Sequence, residues 1–125
     1  MNAGPARNRR AARAFGRRAE WLAAALLMAK GYRILVRGYR VAGGEIDIIA
    51  LRGRTVAFVE VKARPELEAA MIAITPTKIA RLSRAARVWL AANPWAASHV
   101  LRADAVFLAP WRTPRHVVAA VELTV

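Results

Sequence analysis

The 125-residue sequence contains no cysteine, only eight acidic residues and no apolar run of membrane length. The absence of cysteine excludes disulfide bonds, thiolate metal ligands and cysteine nucleophiles, and nothing in the composition requires an oxidising compartment. The longest apolar run, Trp21–Ala29, is too short to span a bilayer. Glu20 and Lys30 flank this run without an A-x-A cleavage pattern, so we expect a cytoplasmic protein rather than a secreted one.

Positive charge is in large excess. The sequence has 21 Lys plus Arg against 8 Asp plus Glu, a formal net charge of +13. This excess predicts a polyanionic partner, with nucleic acid as the first expectation and an acidic membrane surface as the lesser alternative. All but three of the basic residues are arginines in an alanine-rich chain, a composition that genomic base content also produces, so charge alone does not decide the partner.

The length predicts one domain. Residues 1–12 are basic and lack apolar periodicity, which predicts a disordered arm before a single domain over residues 13–125. A helix is predicted from about Ala11 to Lys30, because apolar residues recur at helical spacing: Phe15, Ala19, Leu22, Ala23, Leu26 and Leu27. A second helix is predicted from the Thr75 N-cap to about Ala92, with a core-facing stripe of Ile79, Leu82, Ala86, Trp89 and Leu90.

Strand patterns occupy most of the remaining chain. Residues 32–41 predict a strand with an irregularity at Gly38, and residues 45–51 and 55–62 predict a hairpin joined by the turn at residues 52–55. Gly43 and Gly44 are interpreted as a plain tight turn, since no phosphate-binding pattern surrounds them. Residues 66–74 are ambiguous between loop and helix, and two further strands follow around residues 99–109 and 116–125.

The segment from Gly43 to Arg64 places charges inside apolar strands. Side chains alternate along a strand, so Glu60 and Lys62 share one face with Val56 and Phe58, while the other face is also apolar. A buried carboxylate requires a partner, a metal or water. If the hairpin forms, Asp47 and Glu60 lie close enough to bind one divalent cation through oxygen ligands.

Other polar residues have ordinary interpretations as well as functional ones. By position alone, Glu20 is better explained by a salt bridge with Arg17, and Asp104 by one with Arg102. His99 and His116 lack a third-ligand pattern and are interpreted as ordinary histidines. The second helix carries a row of arginines that is either a solvated face or a phosphate-binding one: Arg81, Arg84 and Arg87. Lys78 borders the apolar stripe and could point toward the acidic cluster.

Three segments carry a family resemblance: GYRILVRGYR, GGEIDIIA and FVEVKAR. They resemble the YraN family of small bacterial proteins, and the order of elements resembles the restriction-endonuclease-like nuclease fold. The resemblance covers roughly Phe15 to Asp104. It implies an α/β domain with a mixed central sheet flanked by helices.

The resemblance also implies a metal site for Mg²⁺ or Mn²⁺. Asp47, Glu60 and the Val61 carbonyl would bind the metal. Glu20 would complete the site, and Lys62 would orient or activate the attacking water. Glu45 shares a strand face with Asp47 and would support the ligands from outside, as would Lys78.

Two functions follow. The first is metal-dependent hydrolysis of DNA phosphodiesters, including branched DNA, which resolvases of this fold cut as homodimers. The alternative is a non-catalytic nucleic-acid-binding or assembly module on the same fold, for which the charge suffices. A third, purely structural interpretation makes Glu60 and Lys62 a buried ion pair, and it ranks last because such pairs rarely stabilise a fold more than apolar packing does.

Overall fold

The computed structural model describes residues 5–66 and 74–123. Within these ranges the chain forms two α-helices, a short 3-10 helix and five strands. In chain order they are α1 (Pro5–Ala29), β1 (Arg33–Val41), β2 (Gly44–Arg52), β3 (Thr55–Ala63), α2 (Pro76–Ala92), the 3-10 helix (Pro94–Ser98), β4 (Val100–Leu108) and β5 (Arg115–Val121).

The strands form one mixed sheet in the order β1-β2-β3-β4-β5. The pairs β1–β2, β2–β3 and β4–β5 are antiparallel, whereas β3 and β4 are parallel. A parallel pair needs a crossover connection, and α2 lies in the segment that joins these two strands. The predicted α/β class, a mixed central sheet flanked by helices, is confirmed.

In residues 5–66 and 74–123, α1 packs on one face of the sheet and α2 on the other, and β3 contributes to both cores. On the α1 side, Ala19, Ala23 and Leu27 of the helix pack in one cluster with Ala57, Val59 and Val61 of β3. On the α2 side, Val56 and Phe58 pack in a second cluster, which includes the helix residues Leu82, Ala85, Ala86 and Trp89. The alternation predicted for β3 is therefore confirmed, and the strand is buried on both faces.

The second helix begins where the sequence predicts. The side-chain oxygen of Thr75 accepts a hydrogen bond from the Lys78 N–H at 3.3 Å, and Pro76 occupies the first turn, where its missing N–H costs nothing. Within the predicted stripe, Leu82, Ala86 and Trp89 are buried, while Ile79 and Leu90 are partly buried. The cap and the apolar stripe thus orient α2 on the sheet.

The first helix differs from its prediction at two points. It begins at Pro5 rather than near Ala11, so residues 5–12 are helical where an irregular arm was predicted, and residues 1–4 lie outside the described range. Leu22 is exposed, because α1 contacts the sheet through a narrow stripe built largely of alanine. No helix in the described ranges is long and apolar enough to cross a membrane.

The irregularity predicted in β1 is present, but it occurs at two separate places in the strand. Gly38 has a φ of +66°, a conformation that favours glycine. The change in pairing register with β2, however, lies between Ile34 and Val36. The pairing irregularity therefore precedes the glycine. The predicted connection over residues 66–74 falls mostly on residues 67–73, outside the described ranges.

The turn at Gly43 and Gly44 does more than reverse the chain, which corrects the interpretation of a plain tight turn. A Cβ atom on Gly44 would lie 2.6 Å from the Arg81 carbonyl oxygen and 2.9 Å from the Ala85 nitrogen. Those atoms belong to the backbone of α2, which cannot move aside like a flexible side chain. Only glycine therefore lets α2 approach the start of β2 this closely.

We expect Gly44→Ala to destabilise the fold by about 2–3 kcal/mol, since the added methyl group would push α2 from the sheet. Gly38→Ala is the matched control: its Cβ would meet nothing within 4 Å, so only its positive φ contributes a cost, of about 1 kcal/mol. Urea denaturation of both variants measures the two free energies of unfolding. Equal losses for the two variants would contradict the close-packing explanation.

Candidate metal and catalytic site

The candidate site lies where β2 separates from β3. Regular pairing runs from Arg52–Thr55 to Ile48–Val59. One residue further along, the side chain of Asp47 replaces a backbone partner: its Oδ2 atom accepts a hydrogen bond from the Val61 N–H at 2.8 Å. The Asp47 carboxylate thus accepts a hydrogen bond from a backbone N–H of β3 at the point where β2 and β3 diverge.

Glu60 and Lys62 form a buried ion pair beside this point. The Lys62 Nζ lies 2.8 Å from Glu60 Oε1, and their side chains are only 9% and 8% exposed. They are buried because β3 lies in the middle of the sheet with both faces covered. The buried Glu60–Lys62 ion pair of the purely structural interpretation is therefore present. A catalytic site requires the same closeness of Glu60 and Lys62, so the ion pair is compatible with both interpretations.

Asp47 has a strongly perturbed carboxyl group. Burial, followed by the negative charge of Glu60, raises its pKa to about 7. The hydrogen bond from Val61 N–H lowers it, Glu20 raises it further, and the Lys62 ammonium lowers it. The four predicted catalytic residues therefore form one group coupled by charge to Asp47, on which the charge of Glu20 acts from α1.

No salt bridge joins Glu20 to Arg17 in the described part of the chain, so the ordinary explanation offered for Glu20 does not hold there. Glu45 lies 3.9 Å from Arg40 Nε on β1. Lys78 and Glu60 line one narrow pocket between α2 and the sheet. Glu45 thus points to a neighbouring strand, whereas Lys78 lies beside the acidic group.

The row of arginines on α2 is exposed at all three positions: Arg81, Arg84 and Arg87. The Nε of Arg84 donates to the Ala42 carbonyl at 2.5 Å, which fixes this guanidinium over the turn between β1 and β2. The Arg84 side chain is therefore partly occupied by a contact within the fold.

A second polar cluster surrounds Asp104, and the sequence predicted only part of it. Arg102 binds both carboxylate oxygens at 2.8 Å, which confirms the predicted salt bridge. His116 Nε2 lies 2.8 Å from Oδ2, and the Ala119 N–H donates to Oδ1 at 3.0 Å. Burial opposes ionisation of Asp104, but these hydrogen bonds outweigh it and lower its pKa. His116 was not predicted to join, because its position depends on the pairing of β5 with β4, where it is the register partner of Val106.

Within residues 5–66 and 74–123, no three His, Asp or Glu side chains are close enough to form a ready-made metal site. Asp47 and Glu60 provide two carboxylates whose mutual repulsion a cation would relieve. Their chemistry therefore fits a hard divalent ion that takes its remaining ligands from backbone oxygen, water or substrate.

A model of Uncharacterised protein family UPF0102 matches residues 19–108. The chain belongs to the UPF0102 family. This is the YraN family that the sequence segments resemble. The matched residues include all four members of the coupled group.

UPF0102 proteins from several bacteria are similar to this chain over nearly their whole length. One from Methylocella silvestris is 63% identical over 93% of this chain and 94% of its own length. Another, from Methylorubrum extorquens, is 59% identical over 97% of this chain and 94% of its own length. A third, from Rhodopseudomonas palustris strain BisB5, is 53% identical over 93% of this chain and 88% of its own length.

The raised pKa of Asp47 makes stability depend on pH. The folded pKa of about 7 lies above the ordinary value of 3.8, so the folded chain retains a proton that the unfolded chain has lost. This stabilising contribution is complete below pH 4 and is lost as the pH rises through 7. Asp47→Asn should remove the dependence, so its stability relative to wild type should rise by about 2–4 kcal/mol from pH 4 to pH 8.

Urea denaturation in a metal-free buffer across this range measures the difference between the two proteins. Glu122→Gln, which neutralises an exposed carboxylate outside the coupled group, is the control and should differ from wild type by a nearly constant amount. A constant difference for Asp47→Asn as well would show that Asp47 titrates normally.

Proposed function

We propose that this chain is a nuclease that uses Mg²⁺ or Mn²⁺ to hydrolyse phosphodiester bonds in DNA. The observation that carries the proposal is the coupled group of Glu20, Asp47, Glu60 and Lys62 at the point where two central strands diverge. Perturbed, mutually interacting ionisable groups are typical of catalytic sites. The resemblance of the same residues to a nuclease motif supports the assignment independently of their energetics.

The charge balance of the group favours a cation. The Lys62 ammonium compensates the charge of one carboxylate, Glu60. Asp47 and Glu20 are two further acidic groups, and the charges of Glu60 and Glu20 both raise the pKa of Asp47. A structural ion pair would need only Glu60 and Lys62, and would be weakened by additional carboxylates. The surplus negative charge is therefore better explained by a metal ion than by stability.

The residues that would hold the ion are Asp47 and Glu60 together with the Val61 carbonyl, with Glu20 completing the site. When bound, a divalent ion lowers the pKa of a coordinated water and neutralises charge that develops on the phosphate. The Val61 N–H holds the Asp47 carboxylate in place before substrate arrives, and Glu60 holds the Lys62 ammonium in the same way. Lys62 is thereby positioned to orient the attacking water and to stabilise negative charge on the phosphate.

The charge distribution supports a nucleic-acid substrate. The net charge of +13 predicts attraction to a polyanion, and Arg81 and Arg87 lie exposed on α2, the helix whose Lys78 lies in the pocket beside Glu60. Arginines on this helix would contact phosphates on either side of the scissile one. Symmetric cutting of a branched junction would additionally require two copies of the site, hence a homodimer.

The alternative function is a nucleic-acid-binding or assembly module without turnover. The basic charge favours it, since charge explains binding without any need for the acidic group. It gives the raised pKa of Asp47 no role, because a carboxylate whose pKa is raised by burial and by acidic neighbours contributes nothing to binding a polyanion.

We expect wild-type protein to cleave labelled DNA in the presence of Mg²⁺ or Mn²⁺, and we expect Asp47→Asn and Lys62→Ala to reduce the rate at least about 100-fold. The substrates are linear duplex, single-stranded, flap and four-way-junction DNA. Glu122→Gln should cleave at the wild-type rate. Circular dichroism of each variant checks that the fold is retained.

Calorimetric titration with Mn²⁺ separates the two functions. The nuclease should bind the ion, and Asp47→Asn should lose that binding while its affinity for DNA in EDTA stays within about twofold of wild type, since one neutral group replaces an acidic one. DNA binding without cleavage under every metal condition would refute the nuclease and leave the binding module.

A further inference from the structure

Trp111 is fully exposed, at 102% of its reference area. The other exposed tryptophans have partners: the ring of Trp95 lies 5.7 Å from that of Trp89, and the Arg37 guanidinium lies 3.9 Å from the Trp21 ring. In the part of the chain that the structure describes, Trp111 makes no such ring or cation contact. A large aromatic side chain left in water contributes nothing to folding.

The backbone at Trp111 is also unfavourable for this residue. The Arg112 N–H donates to the Ala109 carbonyl at 3.3 Å, which closes a four-residue turn with Pro110 second and Trp111 third. Trp111 has a φ of +61°, and the third position of such a turn strongly prefers glycine or asparagine. Trp111 thus combines an unfavourable backbone conformation with a fully exposed indole ring. Both are costs without a benefit to folding, and such costs are typical of functional positions.

The turn lies at the same end of the sheet as the candidate site. Lys62 of β3 is the register partner of Phe107 on β4, and the Arg64 N–H donates to the Leu108 carbonyl at 3.1 Å. Trp111 follows Leu108 by three residues. The indole therefore projects from the loop that continues directly from the strand paired with the site.

The chain on either side of the loop that carries the ring is mainly basic. Arg112 follows Trp111 in the turn and Arg115 begins β5 after the loop, while Arg64 follows the end of β3 and its N–H donates to the Leu108 carbonyl. Glu66 is the acidic residue two positions after Arg64. A protein partner would favour an apolar cluster or pocket around an aromatic anchor, but the residues next to Trp111 in the loop are Pro110, Arg112, Thr113 and Pro114. An exposed flat ring in a loop with arginines before and after it in the fold matches the way proteins bind single-stranded nucleic acid, by stacking on a base and contacting the adjacent phosphates.

We propose that Trp111 is a stacking platform for one unpaired base of the nucleic-acid strand, and that Arg112 and Arg64 contact the flanking phosphates. The proposal rests on the proposed function for the identity of the partner, and it specifies the substrate class: DNA with an unpaired nucleotide next to the scissile phosphate. The turn lies beyond residue 108, where the family match ends.

The test is DNA binding in EDTA, where no cleavage occurs and the nuclease proposal is not involved. The probes are an oligothymidine single strand, a blunt duplex, and the same duplex with one bulged thymine, all at one fixed salt concentration. We expect Trp111→Leu to bind the single strand and the bulged duplex about tenfold more weakly than wild type, because one stacking contact is lost. Its affinity for the blunt duplex should change less than about twofold, since phosphate contacts dominate there.

Two variants control for side-chain size and for turn strain. Trp111→Phe keeps an aromatic face and should bind nearly as well as wild type, but it should lack the tryptophan quenching that accompanies stacking. Trp111→Gly relieves the positive φ, so it should melt no lower than wild type while binding as weakly as Trp111→Leu. Trp95→Leu removes a tryptophan before β4, at the opposite end of that strand, and should leave all three affinities unchanged.

Equal affinities of wild type and Trp111→Leu for the single strand would overturn the proposal, as would an equal loss on all three probes. A Trp111 blue shift on anionic lipid vesicles, without quenching by oligothymidine, would assign the ring to a membrane surface instead. Cleavage with no stacking would refute this inference alone, whereas stacking without cleavage would refute only the nuclease.

Discussion

The hydrogen bond from the Val61 N–H to Asp47 Oδ2 is the contact on which the rest of the site depends. A strand in the middle of a sheet must satisfy every N–H, and normally a neighbouring backbone carbonyl does so. Here the Asp47 side chain accepts the hydrogen bond instead of a backbone carbonyl. β2 can therefore diverge from β3 without leaving the Val61 N–H unpaired. The same contact holds a carboxylate at the position where the strands part, next to the Glu60–Lys62 pair.

The carboxylates of Asp104 and Asp47, which both lie on this sheet, have pKa values shifted in opposite directions. Asp104 receives two hydrogen bonds from Arg102, one from the Ala119 N–H and one from His116, and its pKa is lowered. Asp47 receives one backbone hydrogen bond and has acidic neighbours, and its pKa is raised to about 7. The negative charge of Asp104 is compensated by these hydrogen bonds within the fold, so we assign Asp104 a structural role. The Asp47 carboxylate lacks such compensation, which is why it carries the proposed metal site.

The features that depend on local pattern could be predicted from the sequence. Period-two alternation correctly placed Glu60 and Lys62 on one face of a buried strand, and the Thr75–Pro76 pair located the start of α2. Contacts between distant segments could not be predicted in this way. The need for glycine at position 44 arises from the backbone of α2, and the position of His116 depends on how β5 meets β4. Spacing also could not show that Leu22 would be exposed, since the width of the α1 contact depends on the sheet beneath it.

The irregular pairing of β4 with β5 has a consequence for self-association. Ala103 pairs with Val121 and Ala105 with Val117, so three residues of β5 face one residue of β4, and Ala119 has a φ of +53°. β5 forms one border of the sheet, where another chain could add a strand by pairing with a straight row of backbone groups. The kink at residues 118–120 breaks that row. The carboxylate of Asp104, by holding the kink in place, thus also protects this border against edge-to-edge aggregation.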